Sequence, residues 1–247
     1  MRDDKRSTDE IRPVSITPDY LAYAEGSAMM EIGKTKVVAG ATIEEKVPTF
    51  LKGSGKGWIT AEYAMLPCST EKRTPRERGP GRMSGRTQEI QRLIGRSLRT
   101  VTDLDILGER TITIDCDIIQ ADGGTRTASV TVGCVALALA LKKMMDKNII
   151  SEMPLKNLVS AVSVGIVAGD HLLDLDYRED SSAEVDMNVI KTDTGKIVEI
   201  QATAEKSPFT KKDFNALFGL ADKGLKELFL LQKEILKQKS LLFMAYG

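Results

Sequence analysis

The sequence predicts an α+β fold, with antiparallel or mixed sheets covered by helices. Three observations carry this. Ile112, Ile114, Cys116 and Ile118 alternate with Thr111, Thr113, Asp115 and Asp117, the period of a half-buried strand. Ala121-Asp122-Gly123-Gly124 breaks that strand, and an uncharged run from Ala128 to Leu141 follows, which reads as a buried helix from Thr127 to about Met145. Ile90, Leu93, Ile94, Leu98 and Val101 form one apolar stripe along a helix over 85–101.

The other elements follow in order. Residues 1–13 read as an arm or edge segment. Strands fall near 14–16, 27–32 and 36–42, with Gly33-Lys34-Thr35 turning between the last two. From Glu44 to Pro80 the pattern is irregular and rich in proline and glycine, a long loop of the kind that carries function or an interface. Within it, Lys52-Gly53-Ser54-Gly55-Lys56-Gly57 lacks the spacing of a phosphate loop and reads as a flexible loop, and Trp58 and Tyr63 read as core or interface. Strands are expected over 158–167, 172–177, 185–190 and 197–204, the last two joined by a hairpin at Asp193-Thr194-Gly195-Lys196. A long helix runs from Phe209 to about Lys239. Residues 28–42 faintly echo 187–203, a hint of two βα halves.

The chain has 247 residues, 42% hydrophobic and 28% charged, enough for a substantial core. The apolar run ends at Lys142-Lys143, short of a membrane span, and the mixed-charge start MRDDKRSTDE is not a secretory signal. Cys68, Cys116 and Cys134 show neither a disulfide framework nor zinc spacing, which fits a reducing cytoplasm. The single histidine, His171, argues against a histidine-rich metal site and reads as a surface turn residue. Arginine and carboxylate chemistry remain.

Net charge is zero, so bulk electrostatics announce no nucleic-acid partner. The distribution is uneven. Lys72, Arg73, Arg76, Arg78, Arg82, Arg86, Arg92, Arg96 and Arg99 face only Glu77 and Glu89 in the same stretch. Arginine suits bidentate phosphate contact, though a solvated charged face fits too. Arg92, Arg96 and Arg99 fall on the polar side of their helix, placed to track a phosphate backbone or to pair with acids on a neighbouring subunit. Arg86, in the first turn, opposes the helix dipole, which suggests that it helps to bind an anion. The Thr125-Arg126-Thr127 start of the next helix would aim free N–H groups, a hydroxyl and a guanidinium at one point, a place for a phosphate.

The segment from Asp174 to Asp186 holds Asp174, Asp176, Glu179, Asp180, Glu184 and Asp186. On a strand Asp174 and Asp176 would share a face, and Asp180 and Asp186 would approach each other across the turn. Two carboxylates beside a phosphate could hold Mg²⁺, or one could act as a general acid; a solvated hairpin reads the same way.

Over essentially its full length the sequence resembles the ribonuclease PH family. The matching runs are IRPVSI at 11–16, AEGS at 24–27, FLKGSGKGWITAEYAMLP at 50–67, GRTQEIQRLIGRSLR at 85–99, IDCDIIQADGGTRTASVT at 114–131, AVSVGIVAG at 161–169, LDYREDSSAEVDMNV at 175–189 and EIQATAE at 199–205. The resemblance implies a single domain over 1–247 like the second domain of ribosomal protein S5, with a C-terminal helix and tail from about 210. It implies a phosphorolytic 3′-to-5′ exoribonuclease, a tRNA nucleotidyltransferase that trims tRNA precursors, also acts in rRNA processing and releases nucleoside diphosphates. The reverse reaction adds nucleotides from diphosphates.

The resemblance also implies roles for single residues. Arg86, Gly124, Thr125 and Arg126 match phosphate-binding positions. Asp180 and Asp186 match the catalytic pair that holds Mg²⁺ or Mn²⁺. Arg92, Arg96 and Arg99 match an RNA-guiding face, and Arg73 and Arg76 match subunit contacts of a homo-hexamer built as a trimer of dimers. Cytoplasmic location and no membrane partner are expected. Cys68 departs from the family, which often has arginine there, and the lysine-rich tail ending LLFMAYG is less typical. The rival expectation is a non-catalytic RNA-binding ring subunit of an exosome-like assembly.

Overall fold

The computed structural model describes residues 2–77 and 83–242. Arg78, Pro80, Arg82 and the end of the tail, read above from sequence, lie outside the described residues. The first sheet holds β1 (Val14–Pro18), β2 (Gly26–Ile32), β3 (Thr35–Glu44), β4 (Trp58–Met65) and β5 (Thr111–Gln120), in the order β1-β2-β3-β5-β4. Only β4 and β5 run parallel. A parallel pair needs a crossover, supplied by α1 (Gly85–Thr100) and the one-turn α2 (Leu104–Leu107). α3 (Thr125–Asp146) follows β5. The second sheet holds β6 (Val159–Val167), β7 (Asp170–Leu173), β8 (Val185–Thr192) and β9 (Ile197–Ala204), all antiparallel, in the order β7-β6-β8-β9. α4 (Tyr177–Ser182) joins β7 to β8, and α5 (Lys211–Gln238) packs on β6 and β7.

The expected mixed and antiparallel sheets under helices are present. α3 lies between the sheets, against β2 and β3 on one side and β6 on the other. Side chains from both sheets and from α1, α3 and α5 join one buried cluster. Within α3, Val130, Val132, Leu137 and Leu141 are fully buried, each contributing about 1.5–3 kcal/mol. The helix is longer than the uncharged run, because Thr125 to Thr127 join its start and Lys142 to Asp146 its end. By length and composition it could cross a membrane, contrary to the sequence reading, but 83% of its most apolar window is buried in the protein. The backbone of β2 lies directly against it. A Cβ at Gly26 would stand 2.2 Å from the Ala136 carbonyl oxygen, so only glycine fits.

α1 begins at Ser84, whose side chain accepts from the Thr87 N–H at 3.1 Å. Its predicted stripe, Ile90, Leu93, Ile94, Leu98 and Val101, is buried. α5 begins with a reciprocal cap between Thr210 and Asp213. Its Gln232 is fully buried, donating to the Thr131 and Val159 carbonyls and accepting from the Ser160 hydroxyl.

Three further expectations change. The irregular stretch from Glu44 to Pro80 contains β4, whose Ile59, Ala61 and Tyr63 face the core. Its flanking glycines and prolines, and its small Ala61 and Ala64, hid the alternation. The strand expected over 172–177 ends at Leu173. Asp174 turns left-handed at φ 54°, and Asp176 then caps α4 through a reciprocal pair with Glu179, so the two aspartates do not share a strand face. His171 lies in β7 opposite Ile166, not in a turn, with Nε2 3.0 Å from Asp213. The N-terminal arm is anchored by its arginines, since Arg2, Arg6 and Arg12 are all buried. The echoing segments 28–42 and 187–203 fall on the hairpins β2–β3 and β8–β9, one in each sheet.

Candidate active site

The site forms where the start of α3 meets the loop that carries α4. Gly123 and Gly124 both take left-handed φ, 76° and 64°, which brings the turn close to the second sheet. A Cβ at Gly123 would lie 2.4 Å from the Leu175 carbonyl oxygen. Gly124 is the N-cap of α3 and makes no side-chain cap bond, and the first turn holds no acid. The first N–H groups are therefore left without a capping side chain, with Arg126 in the same turn, an arrangement of donors that suits an anion. The predicted helix start is correct within two residues.

Thr125 is buried, and its Oγ1 lies 2.9 Å from the Tyr63 hydroxyl of β4. Arg126 donates Nη1 to Gln201 Oε1 at 3.0 Å and lies 3.4 Å from Glu89. Arg86, in the first turn of α1, completes the basic side. Its charge and that of Arg126 reach both Asp180 on α4 and Asp186 on β8, favouring their ionised forms. Burial acts against them and dominates. It holds the Asp180 carboxyl above its ordinary range. Burial, then the neighbouring Asp180 charge, push Asp186 up to about 6. The sequence expectation that Arg86, Thr125, Arg126, Asp180 and Asp186 share one place is thus realised in the fold.

Arg12 braces this arrangement from behind. It donates to both carboxylate oxygens of Asp174 and, through Nη1, to the Asp122 carbonyl just before the glycine pair. Asp174 is therefore a buried ion-pair partner, and Asp176 is a helix cap; neither faces the pair formed by Asp180 and Asp186 as a further carboxylate. Among the described residues, no group of three or more His, Cys, Asp or Glu is placed to hold a metal ion. Asp180 and Asp186 offer hard oxygen donors of the kind that suit a cation keeping several waters and drawing further ligands from phosphate.

Arg92 and Arg96 are exposed on α1 and line a cleft with Gln88, Glu89, Glu199 and Gln201. Arg96 pairs with Glu199 at 2.6 Å. Glu89 and Gln201 belong both to this cleft and to the partners of Arg126. Arg99 stands apart. Its guanidinium lies 4.2 Å over the Trp58 ring and donates to the Ile59 carbonyl, so it is half-buried against β4. Arg73 and Arg76 are exposed in the segment after β4, where Arg76 favours the ionised form of Asp117 on β5. Sequence reading missed Arg12, Tyr63 and Gln201 as supports of the site. Tyr63 sits in a strand that was not recognised, and no local pattern marks the other two.

The fold defines the class first. Chains in the crystal structure of rice (Oryza sativa) Rrp46, in an Archaeoglobus fulgidus exosome with RNA bound to the active site, and in an archaeal exosome core superpose with TM-scores of 0.74, 0.74 and 0.73. They share 18%, 23% and 21% identity, cover 94%, 97% and 94% of this chain, and are themselves covered over 98%, 92% and 91%. Two family models then match in tandem, domain 1 of the 3′ exoribonuclease family over residues 10–143 and domain 2 over 157–224. Ribonuclease PH of Moorella thermoacetica is 56% identical over 236 residues, 96% of this chain and 94% of that protein. Ribonuclease PH of Bacillus subtilis is 55% identical over 237 residues, 96% and 97% of the two chains. The chain belongs to the ribonuclease PH branch of the 3′ exoribonuclease family.

Proposed function

We propose that this protein removes nucleotides from RNA 3′ ends by phosphorolysis, acting on tRNA precursors and on rRNA. The observation that carries the reading is the anion cradle at Gly124, Thr125 and Arg126 facing the half-buried carboxylates Asp180 and Asp186. Inorganic phosphate is the nucleophile and co-substrate. One of its oxygens forms a bond to the terminal phosphorus while the bond to the preceding 3′ oxygen breaks. A nucleoside diphosphate leaves, and the shortened RNA takes up a proton on its new 3′ hydroxyl. The protein's task is to hold two anions in line, and Arg86, Arg126 and the N–H groups of α3 offset their repulsion.

Burial and the Asp180 charge raise the Asp186 pKa to about 6, which suits it, or Asp180 beside it, to hand a proton to the departing oxygen. The same two side chains would hold Mg²⁺ or Mn²⁺, which bound there would neutralise phosphate charge. RNA reaches the site along the cleft lined by Arg92 and Arg96, with Arg99 behind them on Trp58. We further assign Arg73 and Arg76 to contacts between subunits of a hexamer assembled as a trimer of dimers, working in the cytoplasm. The reverse reaction lengthens RNA from nucleoside diphosphates.

The test is to incubate the protein with a 3′-extended tRNA, Mg²⁺ and phosphate and to identify the product. Nucleoside diphosphates that appear only with phosphate support the reading. Monophosphates released equally without phosphate overturn the mechanism. RNA binding without any turnover favours a non-catalytic ring subunit. Arg126→Ala should abolish phosphate dependence, and Asp180→Ala should lower turnover about a hundredfold or more while RNA binding persists.

A further inference from the structure

Tyr63 brings a side-chain hydroxyl from the first sheet to the start of α3. It is 4% exposed, in the core-facing row of β4 with Ile59 and Ala61, and its hydroxyl lies 2.9 Å from Thr125 Oγ1. A phenol buried this deeply needs a partner, and Thr125 is the partner recorded for it. Either oxygen of the pair can donate. The direction matters. A threonine hydroxyl has one hydrogen, so if Thr125 donates to Tyr63 it has none for a ligand. If Tyr63 donates, the Thr125 hydrogen is released toward the uncapped N–H groups beside it.

We propose that Tyr63 is a positioning residue that, by donating to Thr125, fixes the Thr125 hydroxyl as a donor to the bound phosphate. The inference rests on the phosphate site assigned above. Two features support the direction. Burial raises the Tyr63 pKa, so the phenol keeps its proton at working pH. Arg86 and Arg126 are close enough to act on Tyr63, so the hydroxyl pair borders the cationic site and not a remote part of the core. The ionised oxygens of a phosphate in the cradle only accept, so one of them facing Thr125 selects the arrangement in which Thr125 donates forward and Tyr63 donates to Thr125. Anion binding and hydroxyl direction are then linked.

The experiment measures binding of inorganic phosphate alone, by calorimetry, to the full-length protein and three variants: Tyr63→Phe, Thr125→Val and the double variant. Tyr63→Phe should weaken phosphate binding by about three- to tenfold, the worth of one well-placed hydrogen bond. Thr125→Val should weaken it at least as much, and the double variant no more than Thr125→Val alone, because both changes remove one donor. In kinetics, Tyr63→Phe should raise the KM for phosphate while kcat at saturating phosphate and the KM for RNA stay within about twofold. A purely structural role would instead lower kcat, or weaken RNA and phosphate alike. Unchanged phosphate affinity in Tyr63→Phe overturns the proposal, as do additive losses in the double variant or a wild-type protein that binds no phosphate. A wild type that binds phosphate, loses affinity as described in the variants, yet releases no diphosphates would overturn phosphorolysis and leave the Tyr63 assignment standing.

Discussion

Arg12 grips Asp174 with two donors, Nη2 to Oδ1 at 2.7 Å and Nε to Oδ2 at 2.8 Å, and both side chains are 3% exposed. The same guanidinium holds the Asp122 carbonyl. The pair therefore ties the N-terminal arm to the turn before α3 and to the segment that leads into α4.

Arg12→Ala leaves Asp174 buried and without its bidentate partner. We expect a loss of about 3–5 kcal/mol, read as a lower urea midpoint with unchanged slope. Arg12→Lys should recover part of it, since an ammonium cannot span both carboxylate oxygens and the carbonyl. A midpoint unmoved by Arg12→Ala would contradict the geometry.

Asp186 predicts a pH dependence of stability. Its folded pKa, about 6, lies above the ordinary 3.8, so folding favours the protonated form. Its contribution is fully present below the unfolded pKa and is lost as pH rises through the folded one. Asp186→Asn should therefore raise the melting temperature at about pH 7.5 and change it little at about pH 4. An equal shift at both pH values would show that the carboxyl is not perturbed.

The arginines of α1 should separate in a salt titration. Arg92→Ala and Arg96→Ala, on the open cleft, should each weaken RNA binding and reduce the slope of log affinity against log salt by about one. Arg99→Ala should leave that slope nearly unchanged and lower stability, because its guanidinium is engaged by Trp58 and the Ile59 carbonyl. Equal slopes for all three variants would return Arg99 to the RNA face.

Gln232 offers a test of the packing of α5 on α3 and β6. Gln232→Leu fills similar volume but takes one donor from each of the Thr131 and Val159 carbonyls and removes the acceptor of the Ser160 hydroxyl. A loss of about 1–3 kcal/mol is expected in chemical denaturation. No loss would mean that these groups find other partners.

Much of this architecture was legible in the residues. β5, α1, α3, the β8–β9 hairpin and α5 each carry a period long enough to read, and all fall within a few residues of expectation. The glycine turn and uncapped start of α3 were legible too, because glycines and a helix start are local signals. β4 was not, since Ala61 is too small to mark a core face. Nor was the fate of Asp174 and Asp176. An acid in a short polar segment looks the same whether it pairs with a distant arginine, caps a helix or faces a substrate. Only the long-range partner, Arg12, decides which. The resemblance carried what local patterns could not, singling out Asp180 and Asp186 from six neighbouring acids.

The close seat of Gly26 under α3 reaches further than its own surroundings. Ala136, which it touches, is ten residues along the helix from Arg126, or about 15 Å at 1.5 Å per residue. A helix is stiff over that distance, so a side chain introduced at Gly26 would shift the far end as well as the near one. The direction in which the first turn of α3 points is thus set partly by a strand backbone that meets the helix near its middle. Inactivating substitutions in this chain should therefore appear at positions that touch neither substrate nor any residue that does.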